Sequence, residues 1–262
     1  MSALETLILG IIQGLTEFLP VSSSGHLEIA KAIFGSDYNQ QQGLLITITL
    51  HSATAFSTIF VFRKEIALIL TDLLQFKKGE SFDFSSKILL SMIPAVIIGL
   101  FFEDFIASLF KDKIAFVGGM LLITAFLLFF ADQVRQNKKE FNYENSFYIG
   151  IIQAIAILPG ISRSGATIAL ALLLKIDRDK AARFSFLMVI PLILGSMIKS
   201  IIDGSLSEEN IALFPLMIGF VSAFMTGVFA CRWMVALVKK SQLKYFSFYC
   251  ILVGVLAILF SL

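Results

Sequence analysis

FYIGIIQAIAILPGISRSGAT, residues 147–167, begins like a transmembrane helix and stops too soon to be one. About twelve residues, nearly all apolar, run over 147–158 before Pro159-Gly160 breaks the pattern, and 166–174 offers fewer still, whereas crossing a bilayer takes roughly twenty. Two half-length helices meeting at a Pro/Gly/Ser break predict a re-entrant hairpin. Irregular backbone at membrane depth survives where protein or a wet cavity satisfies its N–H and C=O groups. A kinked full-length span is the alternative.

The same construction occurs once before. GIIQ at 150–153 repeats GIIQ at 10–13, an offset of 140 residues. Each copy is followed by a proline, Pro20 or Pro159, and then by a hydroxyl-rich turn, SSSG at 22–25 and SRSG at 162–165. Two matching blocks in register imply an internal duplication.

Between and after these blocks the chain is apolar enough to live in lipid. Of 262 residues 57% are hydrophobic and 15% charged, with 27 Phe and a mean hydropathy of +0.87. Soluble domains carry about a quarter charged residues. Three spans are expected after each hairpin, near 44–62, 85–102 and 114–132, then near 181–202, 211–231 and 245–261. Hydrophobicity is continuous rather than alternating, which excludes a β-barrel. A hairpin returns to its own side and three spans are an odd number, so the second half starts from the opposite face. The expected fold is an all-α polytopic membrane protein with an inverted-topology repeat. Each half is a re-entrant helix hairpin plus three transmembrane helices. One membrane domain fills 1–262, with halves of approximately 1–132 and 143–262.

Charge placement agrees. Sixteen of the 21 Lys and Arg fall on one side, from Arg63, Lys64, Lys77 and Lys78 through Arg135, Lys138 and Lys139 to Arg232, Lys239, Lys240 and Lys244. The other side holds Lys31, Lys111, Lys113 and Lys199. The positive-inside rule puts the first set in the cytoplasm, and both termini and the first hairpin's mouth outside. The net charge of +2 says little about partners; the bilayer is one, and no nucleic acid is expected. Cys231 and Cys250 both fall in apolar segments and read as core thiols. The first apolar stretch lacks a basic flank, so no cleavable signal peptide is expected.

The charged residues expected inside the apolar layer are chiefly Glu17 and Arg163, one in each hairpin. Each costs about 2.5–3.5 kcal/mol at a helix centre, so a partner or a wet cavity is required. An inverted repeat brings its two hairpin tips together near the midplane, where Glu17, His26 and Arg163 could share one pocket. A buried ion pair stapling the hairpins is the plainer alternative. Gln13 and Glu17 are four apart and share a helix face, able to orient a water or hold a divalent cation. Ser22, Ser23 and Ser24 open the second half-helix, whose N-terminal hydroxyls and N–H groups suit an anion. In the second loop Arg163 offers paired donors that match phosphate oxygens. Ser162, Ser164 and Thr167 flank it, while Gly160 lets backbone N–H groups approach. Acid, imidazole, hydroxyl, guanidinium and anion nest are together the parts for phosphoryl transfer. His51, in TLHSAT at 49–54, reads as a polar contact in the bundle, with a site role as the alternative.

These residues resemble the undecaprenyl-diphosphate phosphatases linked to bacitracin resistance. That family is marked by an (E/Q)xxxE segment running into a PVSS(S/T)GH turn, and by a PGxSRSxxT loop. Here they read QGLTE at 13–17, PVSSSGH at 20–26 and PGISRSGAT at 159–167. The resemblance implies hydrolysis of a C55 polyprenyl diphosphate lipid to the monophosphate. That would recycle the lipid carrier of cell-wall synthesis in a bacterial inner membrane, with bacitracin resistance as a consequence. It implies Glu17, Ser23, His26 and Arg163 as catalytic residues. Gln13, Ser22, Ser24, Gly160, Ser162, Ser164 and Thr167 would bind substrate. A divalent cation, Mg2+ or Ca2+, would sit near Glu17 and Gln13. A homodimer stays open. Many members carry Glu at the position of Gln13, and Gln is neither a base nor a charged ligand. The phosphatidic-acid-phosphatase type requires His and Asp where this chain has Ala169 and Leu173.

Ser23 or a water is expected to attack the terminal phosphorus, with His26 as general base or acid and Glu17 orienting His26 or a cation. A transporter or flippase for an anionic or phosphate-bearing lipid is the rival, since paired re-entrant hairpins are also transporter architecture.

Overall fold

The structure, a computed structural model, describes residues 2–34, 40–77, 79–110, 113–134, 139–202 and 213–261. Lys78, Lys111, Arg135 and Lys138 of the charge pattern, and positions 211–212 of one expected span, lie outside them.

Among the described residues all regular structure is helical, with one isolated bridge between Lys139 and Ile176. α1 (Ala3–Thr16) opens on a capping box. The Ser2 hydroxyl accepts the Glu5 backbone N–H, and the Glu5 carboxylate accepts the Ser2 N–H. The helix then stops after 14 residues, about 21 Å, short of a 30 Å hydrocarbon layer. A break at 17–22 leads into α2 (Ser23–Phe34). The second half repeats this. α8 (Tyr143–Ile155) breaks at 156–162 and resumes as α9 (Arg163–Leu173), which Ser162 caps through the Gly165 N–H.

Three spans follow each break, and six candidates have the length and apolarity to cross a membrane. They are α3 (Gln40–Val61), α5 (Glu80–Phe101) and α7 (Ile114–Asp132), then α10 (Arg178–Leu187) with α11 (Val189–Ile202), α12 (Leu213–Lys239) and α13 (Leu243–Phe260). The fourth candidate is interrupted at Met188. α12 runs past the expected end near residue 231 to Lys239. Two short helices were not anticipated, α4 (Arg63–Leu74) and α6 (Glu103–Phe110). No residue of α4 is buried, and its mixture of charges and exposed Leu68, Leu70 and Leu74 suits an interfacial helix.

The most extensive helix pairings are α1 on α12 and α7 on α13, followed by α3 on α12 and α5 on α8. Glycines permit these approaches. A Cβ at Gly10 would lie 2.0 Å from Ser222 Oγ on α12, and one at Gly150 would lie 2.4 Å from the Ser91 carbonyl oxygen on α5. α7 and α13 meet where Gly118 and Gly254 face each other. Beneath the breaks lies an aromatic core: Phe18 packs edge-on against Phe186 at 5.7 Å, and Phe184 against Phe141 at 4.6 Å. Ion pairs from Arg183 to Glu65 and Asp179, and from Lys239 to Asp179, tie α10 to α4 and α12. That fixes α10, whose Ser185 reaches the site.

Candidate active site

The two breaks touch. A Cβ on Gly25 would lie 3.2 Å from Gly160 Cα, and one on Gly165 would lie 3.1 Å from Pro20 Cβ. Ser164 Oγ donates to the Leu19 carbonyl at 3.3 Å. Gly160 has φ +99° and faces the Val117 carbonyl, so no other residue fits there.

Glu17 is the centre of this junction. Its N–H donates to Gln13 O at 2.9 Å, ending α1, and its carboxylate is almost wholly buried. Oε1 accepts from Arg163 Nη2. Oε2 accepts from Gln13 Nε2 at 3.0 Å and from Ser23 Oγ at 2.7 Å. His51 Nδ1 lies 2.8 Å from Gln13 Nε2 and 3.5 Å from Glu17 Oε2, so His51 belongs to the cluster. Arg163 Nη1 donates to the Ser185 carbonyl at 3.4 Å. Side-chain exposure rises from 6% at Glu17 to 16% at Arg163 and 28% at His51, which gives the cluster an open edge.

The flanking hydroxyls are committed to holding this arrangement. Ser162 takes the Gly165 N–H at 3.0 Å and gives its own N–H to Thr124 Oγ1 at 2.9 Å; Thr124 donates in turn to Gly160 O at 3.1 Å. Thr167 Oγ1 donates to Arg163 O at 2.8 Å and lies 2.6 Å from Ser185 Oγ. Ser22 Oγ takes the Gly25 N–H at 3.3 Å and lies 3.4 Å from the half-buried Ser24. Ser22, Ser162, Ser164 and Thr167 are buried. Their hydroxyls hold the loops, and Ser23, Ser24, His26, His51 and Arg163 keep partly open faces.

His26 departs from expectation. Its Nδ1 lies 2.8 Å from the Ser22 carbonyl and its Nε2 lies 2.8 Å from the Tyr249 hydroxyl. Both ring nitrogens are thus engaged, and Glu17 orients Ser23 rather than His26. His26 and Ser23 are three apart on α2 and share its face. Ser185, Tyr249 and Thr124 were not singled out in the sequence: Thr124 is a lone hydroxyl in an apolar span, while Ser185 and Tyr249 follow other polar residues at the start of their helices with no motif around them.

Among the described residues no three His, Cys, Asp or Glu come together as a metal cluster. The one carboxylate here is already neutralised by Arg163. One atom does suit a hard cation: Gln13 Oε1 is buried and has no hydrogen-bond partner. The donor set fits a cation whose shell is largely completed by oxygens of a bound ligand.

Comparison with known proteins adds to this geometry. The family described as bacitracin resistance protein BacA matches residues 6–256. An undecaprenyl-diphosphatase of Christiangramia forsetii is 54% identical over 261 residues, covering 100% of this chain and 99% of that protein. An undecaprenyl-diphosphatase of Bacteroides fragilis is 46% identical, covering 98% and 97%. One of Methanococcus vannielii is 40% identical, covering 98% and 100%. Because the match runs from α1 into α13 and includes both breaks, the chain belongs to the bacitracin resistance protein BacA family.

Proposed function

We propose that this protein hydrolyses undecaprenyl diphosphate to undecaprenyl phosphate and inorganic phosphate. It thereby recycles the lipid carrier for cell-wall synthesis and confers bacitracin resistance. One observation carries the chemistry: Glu17 holds Ser23 Oγ at 2.7 Å while pairing with Arg163 from the other break. A hydroxyl whose proton points at a carboxylate is set up as a nucleophile with its base. The guanidinium beside it is set up for phosphate oxygens.

Ser23 Oγ attacks the terminal phosphorus and passes its proton to Glu17. The bond from that phosphorus to the bridging oxygen breaks, releasing undecaprenyl phosphate. Water then attacks the phosphorus, the bond from phosphorus to Ser23 Oγ breaks, Glu17 returns the proton to Ser23 Oγ, and inorganic phosphate leaves. Arg163 opposes the charge that builds on the phosphoryl oxygens, and His26, on the same face of α2 as Ser23, exchanges protons with the phosphate groups. Gln13 Oε1 and Glu17 would hold Mg2+ or Ca2+ together with substrate oxygens, adding charge neutralisation on the diphosphate.

The two halves form an inverted repeat of re-entrant hairpins. Supporting this, the equivalent glycines Gly10 and Gly150 each pack on the second span of the other half, and the two third spans meet at Gly118 and Gly254. The basic residues and the odd number of spans support a bacterial inner-membrane location with both termini and the site mouth outside.

Phosphate release from undecaprenyl diphosphate by the purified protein in detergent tests the function. Wild type should release phosphate, and His26→Ala and Arg163→Ala should do so slower by orders of magnitude. Absence of release beside transbilayer movement of the lipid in vesicles would favour a flippase instead.

A further inference from the structure

His26 is held from a helix far from it in sequence. Tyr249, on α13 and 223 residues away, brings its hydroxyl to 2.8 Å from His26 Nε2. The two rings stack, with centroids 5.6 Å apart and planes inclined by 10°. On the other side Nδ1 lies 2.8 Å from the Ser22 carbonyl oxygen. A carbonyl only accepts, so Nδ1 carries a proton; in the neutral ring Nε2 then holds the lone pair and the Tyr249 hydroxyl donates to it. The Ser22 carbonyl also receives the His26 backbone N–H at 3.2 Å, and Ser22 itself lies in the left-handed region at φ +69°. A non-glycine residue held there marks a constrained segment. Two hydrogen bonds and a stack therefore fix the tautomer, the plane and the direction of the imidazole.

That arrangement decides which nitrogen can act. Nδ1 is turned into the protein. Nε2 faces Tyr249, which is 42% exposed, so protein does not close off the outer end of the pair. A phosphate oxygen reaching Nε2 must take the place of the phenol hydroxyl.

α13 does not depend on this bond for its position. It packs along α7 through Gly254 and Gly118, Ser247 Oγ donates to Ala125 O at 2.7 Å, and Cys250 Sγ lies 3.7 Å from Pro20 O. The hydroxyl of Tyr249 adds little to the fold that these contacts do not supply.

We propose that Tyr249 is a positioning residue for the hydrolysis, holding the plane and direction of the His26 ring through Nε2 until a phosphate oxygen takes the place of its hydroxyl. The role rests on His26 being the proton-transfer group proposed above. Tyr249→Phe keeps the stack and removes the hydrogen bond, and Tyr249→Leu removes both. The chain has only two histidines, so ring 15N spectra of the full protein in detergent resolve two imidazoles, and His51→Gln assigns them.

Wild type should show His26 as the Nδ1–H tautomer, and Tyr249→Phe should keep that tautomer, which the Ser22 carbonyl holds, while its Nε2 signal shifts because the hydroxyl that donated to it is gone. Turnover in Tyr249→Phe should fall about tenfold with KM changed less than about twofold, and Tyr249→Leu should fall further, with thermal midpoints unchanged. Wild-type turnover in Tyr249→Phe, or a loss of turnover with the His26 ring signals unmoved, overturns the proposal. Failure of wild type to release phosphate would count against the hydrolase assignment, while the Nε2 shift in Tyr249→Phe would still report on positioning alone.

Discussion

The guanidinium of Arg163 donates to the carboxylate of Glu17 across 146 residues of chain, joining the two helix breaks. Both side chains are largely buried, and each is the other's charge partner. Removing one leaves an uncompensated charge, which costs about 3–5 kcal/mol in such settings. Replacing both with neutral groups avoids that cost. Arg163→Ala should therefore lower both the thermal midpoint and turnover. Glu17→Gln combined with Arg163→Met should recover most of the midpoint and none of the turnover. A double variant as unstable as the worse single one would show that the pair is not a closed charge unit.

Gln13 offers a sharper test of the cation. Its amide donates to Glu17 at 3.0 Å and its oxygen is left unpaired. Gln13→Glu replaces that donor with a second carboxylate beside Glu17, against a single arginine. Like charges at this range repel, and a divalent cation relieves them. The variant should be less stable than wild type by about 1–3 kcal/mol in chelator. Millimolar Ca2+ should raise its melting temperature more than that of wild type. Equal Ca2+ shifts in the two proteins would place the cation elsewhere.

The two histidines should separate by rate. His51 touches Gln13 and Glu17 but none of the hydroxyls on α2, whereas His26 shares a face of α2 with Ser23. His51→Ala should lower turnover by about tenfold and His26→Ala by about a hundredfold or more. The reverse order, measured as phosphate release at saturating lipid, would move the proton-transfer role to His51.

What the residues announced and what they concealed divide along a physical line. Continuous apolar runs and Pro/Gly breaks are local signals, so all six spans and both interruptions were legible. α4 was concealed because IALIL at 66–70 continues the apolar run of α3 after only Arg63, Lys64 and Glu65. The end of α12 was misjudged because a single Arg232 does not stop a helix whose apolar residues resume as Trp233, Met234 and Val235. In the site, Gln13, Glu17, Ser23 and Arg163 were legible because the motifs cluster them. The direction of His26 was not. It depends on the left-handed backbone of Ser22, which serine seldom adopts, and on a tyrosine that reads as one more aromatic in the last span.

Adjacent glycines in α7 give the cleanest test of the packing. At Gly118 an added Cβ would lie 2.6 Å from the Gly254 carbonyl oxygen, a backbone atom that cannot step aside unless the helix moves. At Gly119 nothing lies within 4 Å. The two substitutions have the same helix-propensity gain, about 0.8–1 kcal/mol for Gly to Ala. The difference between them therefore isolates the α7–α13 contact. Gly118→Ala should be net destabilising, since overpacking of this kind costs about 1–3 kcal/mol or more. Gly119→Ala should be neutral or stabilising. Gly254→Ala should behave like Gly118→Ala, because its own Cβ would lie 2.8 Å from the Gly118 carbonyl oxygen. Melting in detergent, read by the fraction remaining monodisperse after heating, measures all three. Equal midpoints for Gly118→Ala and Gly119→Ala would mean that α7 and α13 do not meet this closely.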